Sequence, residues 1–188
     1  INQKKLSLHH TLEQYYPQLY QNPKGKITIK HLLTHSSGLK PFVEFYKKNP
    51  KMSKETMIDE ILELDLDFNP GDEMQYSDLG IILLMDIIEK ISYSTLDNLC
   101  QKWIFSPLGM ENTFYNPDKL IREDIVPTEK DIYFRKRLLI GEVHDENAYL
   151  LDGVSGHAGI FSNSYDLAKY AQLFLNDGTW LGNRIFPS

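Results

Sequence analysis

The sequence predicts a predominantly helical fold with few strands. Apolar residues recur at helical spacing in several separate windows, proline and glycine fall between those windows, and strand signal is confined to one short hairpin near the end. No internal repeat or low-complexity tract interrupts the series, so residues 1–188 read as a single domain.

The elements follow in order. Thr28 can cap a short helix that carries Ile29, Leu32 and Leu33, and Gly38 stops it just beyond, leaving a Ser36-Ser37-Gly38 turn. Ser53 opens a second helix, with Met57, Ile58, Ile61, Leu62 and Leu64 at helical spacing, before Asn69-Pro70-Gly71-Asp72 breaks the chain sharply. From Leu79 to Ile91 apolar residues cover most of the circumference, with only Asp86 and Glu89-Lys90 polar, so this helix is expected to be buried almost all round.

Ser94 with Asp97 has the form of a capping box, and Leu96, Leu99, Cys100 and Trp103 follow the amphipathic template, which makes Cys100 a core residue. A last helix runs from about Tyr165 to Leu175, capped by Ser164 and ended by Gly178, with Leu167, Tyr170, Ala171 and Phe174 as its inner stripe. Thr179 to Phe186 suits a small hairpin about Gly182-Asn183. The segment Tyr115 to Asp152 mixes charge with aromatics, shows neither period, and reads as mostly irregular, the form functional loops take.

Bulk properties exclude several classes. With 41% hydrophobic and 24% charged residues, and 11 Tyr, 9 Phe and 2 Trp for the core, the chain is globular rather than disordered. A net charge of −6 argues against a nucleic-acid surface, which needs clustered Lys and Arg. The basic pairs Lys4-Lys5 and Lys47-Lys48 and the stretch Arg135 to Arg137 read as solvated faces. One cysteine excludes an internal disulfide. The longest apolar run, Ile81 to Met85, is far short of the roughly 20 residues that cross a bilayer. Ile1 to Lys5 is polar and lacks a methionine, so it is neither a signal peptide nor an obvious start, and the chain is expected to begin mid-sequence.

Three stretches resemble the serine β-lactamase-like and penicillin-binding-protein family, in the branch with class C enzymes and related esterases. The first is Ile27-Thr28-Ile29-Lys30-His31-Leu32-Leu33-Thr34-His35-Ser36-Ser37-Gly38-Leu39. The second runs from Pro70-Gly71-Asp72 through Gln75-Tyr76-Ser77-Asp78-Leu79-Gly80 to Pro107-Leu108-Gly109-Met110, with Tyr76-Ser77-Asp78 at the family's Tyr-x-Asn motif. The third spans Pro127-Thr128-Glu129, Gly141 to Ala148, and Gly156-His157-Ala158-Gly159-Ile160-Phe161-Ser162. It is most similar to Bacteroidetes domains sometimes fused to family 3 glycoside hydrolases.

The resemblance implies an α+β fold, a sheet built from both chain ends beside an inserted helical region, of which this chain holds mainly the insert. Residues 1–188 are then a single partial domain, truncated at both ends, with apolar surface exposed where the sheet packs. The nucleophile motif Ser-x-x-Lys is expected before Ile1 and the third motif, Lys-Thr-Gly or His-Thr-Gly, after Ser188. The isolated chain is therefore expected to be catalytically silent.

Ser37-Gly38-Leu39-Lys40 satisfies Ser-x-x-Lys as a string. A catalytic lysine must sit one helical turn beyond the serine on the same face, and Gly38 ends the helix instead. Ser37 is rejected as nucleophile on that ground.

What the motifs would serve is acyl transfer, in which a serine attacks a carbonyl, a base takes its proton, and backbone N–H groups hold the oxyanion. The resemblance makes Tyr76 the catalytic base or relay. A tyrosine, with a pKa of about 10 in water, needs nearby positive charge for that role. The family's lysines supply it, and the helix beginning near Leu79 adds up to about 1 kcal/mol in favour of a phenolate. Asp78 departs from the family's Asn and cannot donate an amide hydrogen bond to substrate. It either pairs with the absent lysine or caps the helix. Ser77 reads as a turn residue.

His144-Asp145-Glu146 and Gly156-His157-Ala158-Gly159 carry ligand types without metal-site spacing, so neither a metal nor another cofactor is expected. These segments serve better as cleft walls, with Gly153, Gly156 and Gly159 allowing close backbone approach. His157 is either a hydrogen-bonded loop histidine or a cleft residue, and Ala158 and Gly159 join Ser77 and Asp78 as cleft candidates. His31 and His35 are read as structural.

The parent protein is accordingly expected to be a serine hydrolase acting on a β-lactam, a D-alanyl or peptidoglycan-type peptide, or an ester. The competing readings are a non-catalytic descendant that binds a cell-wall or glycan ligand, and a helical partner-binding module. The resemblance implies export to the periplasm or cell surface. No nucleic acid or membrane span is expected, and the apolar surface invites self-association.

Overall fold

A computed structural model describes residues 5–117 and 124–186. The basic pair Lys4-Lys5 and the irregular segment Tyr115 to Asp152 each lie partly outside that range. Two compact units divide the chain: Ile1–Tyr93 with Ser155–His157, and Ser94–Val154 with Ala158–Ser188.

The first unit opens on three 3-10 turns, Leu12–Gln14, Pro17–Leu19 and Pro23–Lys26, whose Leu12, Tyr16 and Leu19 are buried. Helix α1, Ile29–Leu33, starts on the expected cap: Thr28 Oγ1 accepts from the His31 N–H and His31 Nδ1 accepts from the Thr28 N–H, both at 3.2 Å. Helix α2, Phe45–Lys48, is one turn. Helix α3, Lys54–Glu63, is capped by Ser53 and buries Met57, Ile58, Ile61 and Leu62. Helix α4, Asp78–Ser92, is the spine of the unit, with Leu79, Ile82, Leu83 and Ile87 fully buried. Each such side chain removed from water contributes about 1.5–3 kcal/mol.

The buried circumference of α4 includes one charge, Asp86. It is matched internally: Tyr16 Oη donates to Asp86 Oδ2 at 2.7 Å and Lys90 Nζ stands 2.7 Å from the same oxygen. Lys90 also lies 4.1 Å over the Tyr16 ring. Burial, followed by the Asp86 charge, pushes the Tyr16 phenol far above its ordinary range, so it stays a donor.

The second unit begins with α5, Leu96–Cys100, a π-helical turn, Gln101–Phe105, and α6, Ser106–Leu108, which Gly109 ends at φ +62. The cap of α5 is Thr95, one residue after the expected Ser94. Trp103 departs from the expected inner stripe and is 47% exposed. The π turn inserts an extra residue per turn after Cys100 and so rotates the later positions off the face that Leu96 and Leu99 define.

Strand β1, Phe114–Tyr115, pairs antiparallel with β4, Ile160–Phe161, while β2, Glu129–Asp131, and β3, Arg137–Leu139, form a hairpin inside the segment expected to be irregular. Helix α7, Glu146–Leu150, follows on an Asp145 cap. Helix α8, Ser164–Leu175, is capped by Asn163 rather than Ser164, and β5, Thr179–Trp180, and β6, Asn183–Arg184, make the final hairpin. Its turn centres on Leu181 and Gly182, both at positive φ, one residue earlier than expected.

Two expectations for this unit are corrected. The stripe of α8 is not internal: Leu167, Ala171 and Phe174 are exposed, Tyr170 is half-buried, and the buried residues are Asp166 and Leu173. Periodicity identifies which residues share a face but not whether a neighbour covers it. The Arg135 side chain is not a solvated face either, being only 4% exposed. Its guanidinium donates to Asp131 at 2.8 Å and to the carbonyls of Val143 and His144 at 2.6 and 2.5 Å, stapling the loop after the β2–β3 hairpin. The Arg135 bond, opposed by burial and reinforced by the backbone N–H groups of Arg135, Phe134 and Tyr133, holds the Asp131 carboxyl well below the usual carboxylate range.

The fold is thus mostly helical with a few two- and three-residue strands. Among the described residues, no helix is long and apolar enough to cross a membrane.

Candidate active site

The first unit holds four of the six residues singled out by sequence: Tyr76, Ser77, Asp78 and His157. The second holds Ala158 and Gly159.

Residues 75–78 are laced to residues 35–41 by backbone and side-chain bonds. The Gln75 N–H donates to the His35 carbonyl at 2.8 Å, the Ser77 N–H to His35 Nδ1 at 3.2 Å, and the Asp78 N–H to the Pro41 carbonyl at 3.0 Å. Ser77 Oγ donates to the Lys40 carbonyl at 2.7 Å and accepts from the Gly80 N–H at 3.2 Å, which makes it the N-cap of α4. Asp67 accepts from Lys40 and Gln75, both at 2.9 Å. Lys40 and then Gln75 thereby hold the Asp67 carboxyl below its usual value against a smaller cost of desolvation.

Gly38 is required in this lacing. It sits at φ +80, and a Cβ there would stand 2.1 Å from the Phe68 carbonyl oxygen. The stretch following α1 and the stretch preceding α4, two of the sequence matches, are therefore one interlocked structure.

Tyr76 emerges from it. Its backbone is fixed on both sides, yet its side chain is 58% exposed, with its ring 4.6 Å from that of His35. Ser77 is 1% exposed and fully engaged as a cap. Asp78 occupies the first helical position, where the partial positive charge of the helix end favours a carboxylate. A ring nitrogen of His157 lies within 4.8 Å of an Asp78 carboxylate oxygen, and His157 Nδ1 is 2.7 Å from Ser155 Oγ.

The glycines of the loop stand close to other atoms of the chain. A Cβ on Gly156 would meet the Ile81 side chain at 2.9 Å. Gly153 and Gly159 have positive φ, and their added Cβ atoms would stand 2.1 Å from Asn116 Oδ1 and 2.4 Å from the Gly153 carbonyl, respectively.

Ser37 has the wrong surroundings for a nucleophile. It is 2% exposed, its Oγ accepts from the Leu39 N–H at 3.3 Å, and Lys40 is bound to Asp67. Sequence reading missed His35 as a neighbour of Tyr76. The available signal was its place immediately before the Ser36-Ser37-Gly38 turn, which says where the chain bends but not what it bends toward.

A profile of the Beta-lactamase family matches residues 1–185. The N-acetylmuramyl-L-alanine amidase of Bacillus subtilis (strain 168) is 33% identical over 210 aligned positions, covering 99% of this chain and 48% of that protein. The chain spans about half the length of the curated relatives it matches. Among solved structures, a Beta-Lactamase/D-Alanine Carboxypeptidase from Pseudomonas syringae superposes with a TM-score of 0.74 at 21% identity, covering 97% of this chain and 47% of that one. A class C beta lactamase from Rhodobacter sphaeroides gives 0.71 at 22% identity, covering 94% and 46%. Fold and profile agree, and the chain belongs to the Beta-lactamase family.

Proposed function

We propose that the protein carrying this chain is a serine hydrolase that works through an acyl-enzyme on a β-lactam, a D-alanyl peptide or an ester, with Tyr76 as proton relay. The observation that carries the reading is the placement of Tyr76: an exposed phenol on a rigid backbone, immediately ahead of the N-cap of α4. A relay needs that combination of access and fixed position. The amidase activity in the name of the Bacillus subtilis relative supports acyl transfer from an amide-type substrate.

Ser37 is buried and Lys40 is engaged with Asp67, which supports excluding Ser37 as the nucleophile; in this reading the role falls to a serine outside residues 1–188, with the isolated chain expected to be silent. His157, beside Asp78, serves as cleft wall. The compartment consistent with a peptidoglycan-type substrate is the periplasm or cell surface. The exposed apolar residues of α8, Tyr165, Leu167, Phe174 and Leu175, favour self-association of the chain when isolated.

The test is the rate of acylation of the full-length protein by a fluorescent penicillin. Tyr76→Phe is expected to slow it about 10²–10⁴-fold, the range spanned by a general acid–base group. An unchanged rate would remove Tyr76 from the mechanism.

A further inference from the structure

Tyr76 is more than half exposed, so packing on all sides does not set the angle of its ring. His35 touches Tyr76 and the residue after it at once. Its ring lies against the phenol, centroid to centroid 4.6 Å with an interplanar angle of 39°, and its Nδ1 accepts the N–H of the next residue, Ser77, at 3.2 Å. A backbone N–H can only donate, so Nδ1 carries no proton and the ring proton of the neutral imidazole sits on Nε2.

The backbone of His35 is committed to the same task. It stands at φ +52, in the left-handed region that non-glycine residues rarely adopt, and its carbonyl accepts from the Gln75 N–H at 2.8 Å. His35 therefore grips residue 75 through its carbonyl, residue 76 through its ring face, and residue 77 through Nδ1. A histidine needed only to close the turn after α1 would use its backbone alone.

We infer that His35 is the positioning residue for Tyr76, holding the phenol at the angle from which it relays a proton. The inference rests on the proposed role of Tyr76, and a measurement of ring position separates the two.

His35→Asn is the informative variant. Asparagine tolerates the left-handed backbone, and its Oδ1 takes the place of Nδ1 as acceptor for Ser77, so the turn is retained and only the ring face is lost. In the full-length protein with ring-labelled tyrosine, the Tyr76 resonance is assigned by its disappearance in Tyr76→Phe. His35→Asn is expected to shift that resonance while leaving the Ser77 amide signal in place. The acylation rate constant for fluorescent penicillin should fall about 10–100-fold with little change in KM, the signature of a misplaced reacting group.

A Tyr76 resonance unmoved in His35→Asn overturns the assignment, as does a shifted resonance with an undiminished acylation rate in a protein where Tyr76→Phe is slow. If Tyr76→Phe itself acylates at the parent rate, the proposed role of Tyr76 is what fails, and the resonance still decides whether His35 holds the ring.

Discussion

Ser77 Oγ donates to the Lys40 carbonyl at 2.7 Å and accepts from the Gly80 N–H at 3.2 Å, so one buried hydroxyl both caps α4 and ties it to the turn after α1. Ser77→Ala removes the cap and leaves a carbonyl without its donor. The expected loss is about 2 kcal/mol of unfolding free energy, measured by urea titration. A loss under about 0.5 kcal/mol would mean the two stretches are not held together by this residue.

Gly38→Ala tests the same joint from the other side. The new methyl would stand 2.1 Å from the Phe68 carbonyl oxygen at a φ of +80, so the backbone must move. Destabilisation of about 3 kcal/mol or more is expected, visible as a lower urea midpoint.

Tyr16→Phe removes the hydroxyl that donates to buried Asp86 while leaving Lys90 in place. Hydrogen bonds to a charged partner contribute about 1.5–3 kcal/mol, and a loss in that range is expected. Because α4 follows directly from the Tyr76 turn, the variant should also raise amide exchange at residues 76–80.

Acid should weaken the start of the first unit through His31. Burial, then the nearby Lys30 charge, lowers its folded-state pKa, and its Nδ1 is occupied as acceptor for the Thr28 N–H. The unfolded chain therefore binds the proton first. The stabilisation is fully present above the unfolded value of about 6.5 and is lost as pH falls from there through the lower folded value. Urea midpoints at pH 7.5 and 5.5 should separate less in His31→Asn, which accepts the same bond and does not titrate, than in the parent.

Much of this architecture is legible in sequence because it depends on local rules. Thr28 and Ser53 announce their helices as caps, and the apolar run from Leu79 to Ile91 announces a buried helix. What escaped depends on partners distant in the chain. Trp103 looks internal until the π turn rotates it outward, and Phe174 looks internal although nothing within its unit buries it. Arg135 looks solvated because its acceptors, the Val143 and His144 carbonyls, belong to a loop without a periodic signal. At the candidate site, Tyr76 is recognisable by its motif. The grip of His35 on it spans some 40 residues of sequence and becomes visible only when the turn is folded.

The most direct test of the account is to map the acylated residue in the full-length protein after labelling with a fluorescent penicillin or a fluorophosphonate, with and without Tyr76→Phe. A single adduct on a serine outside residues 1–188, followed three positions later by lysine and formed at least about 100-fold more slowly in Tyr76→Phe, is the expected result. An adduct on Ser37 would contradict it.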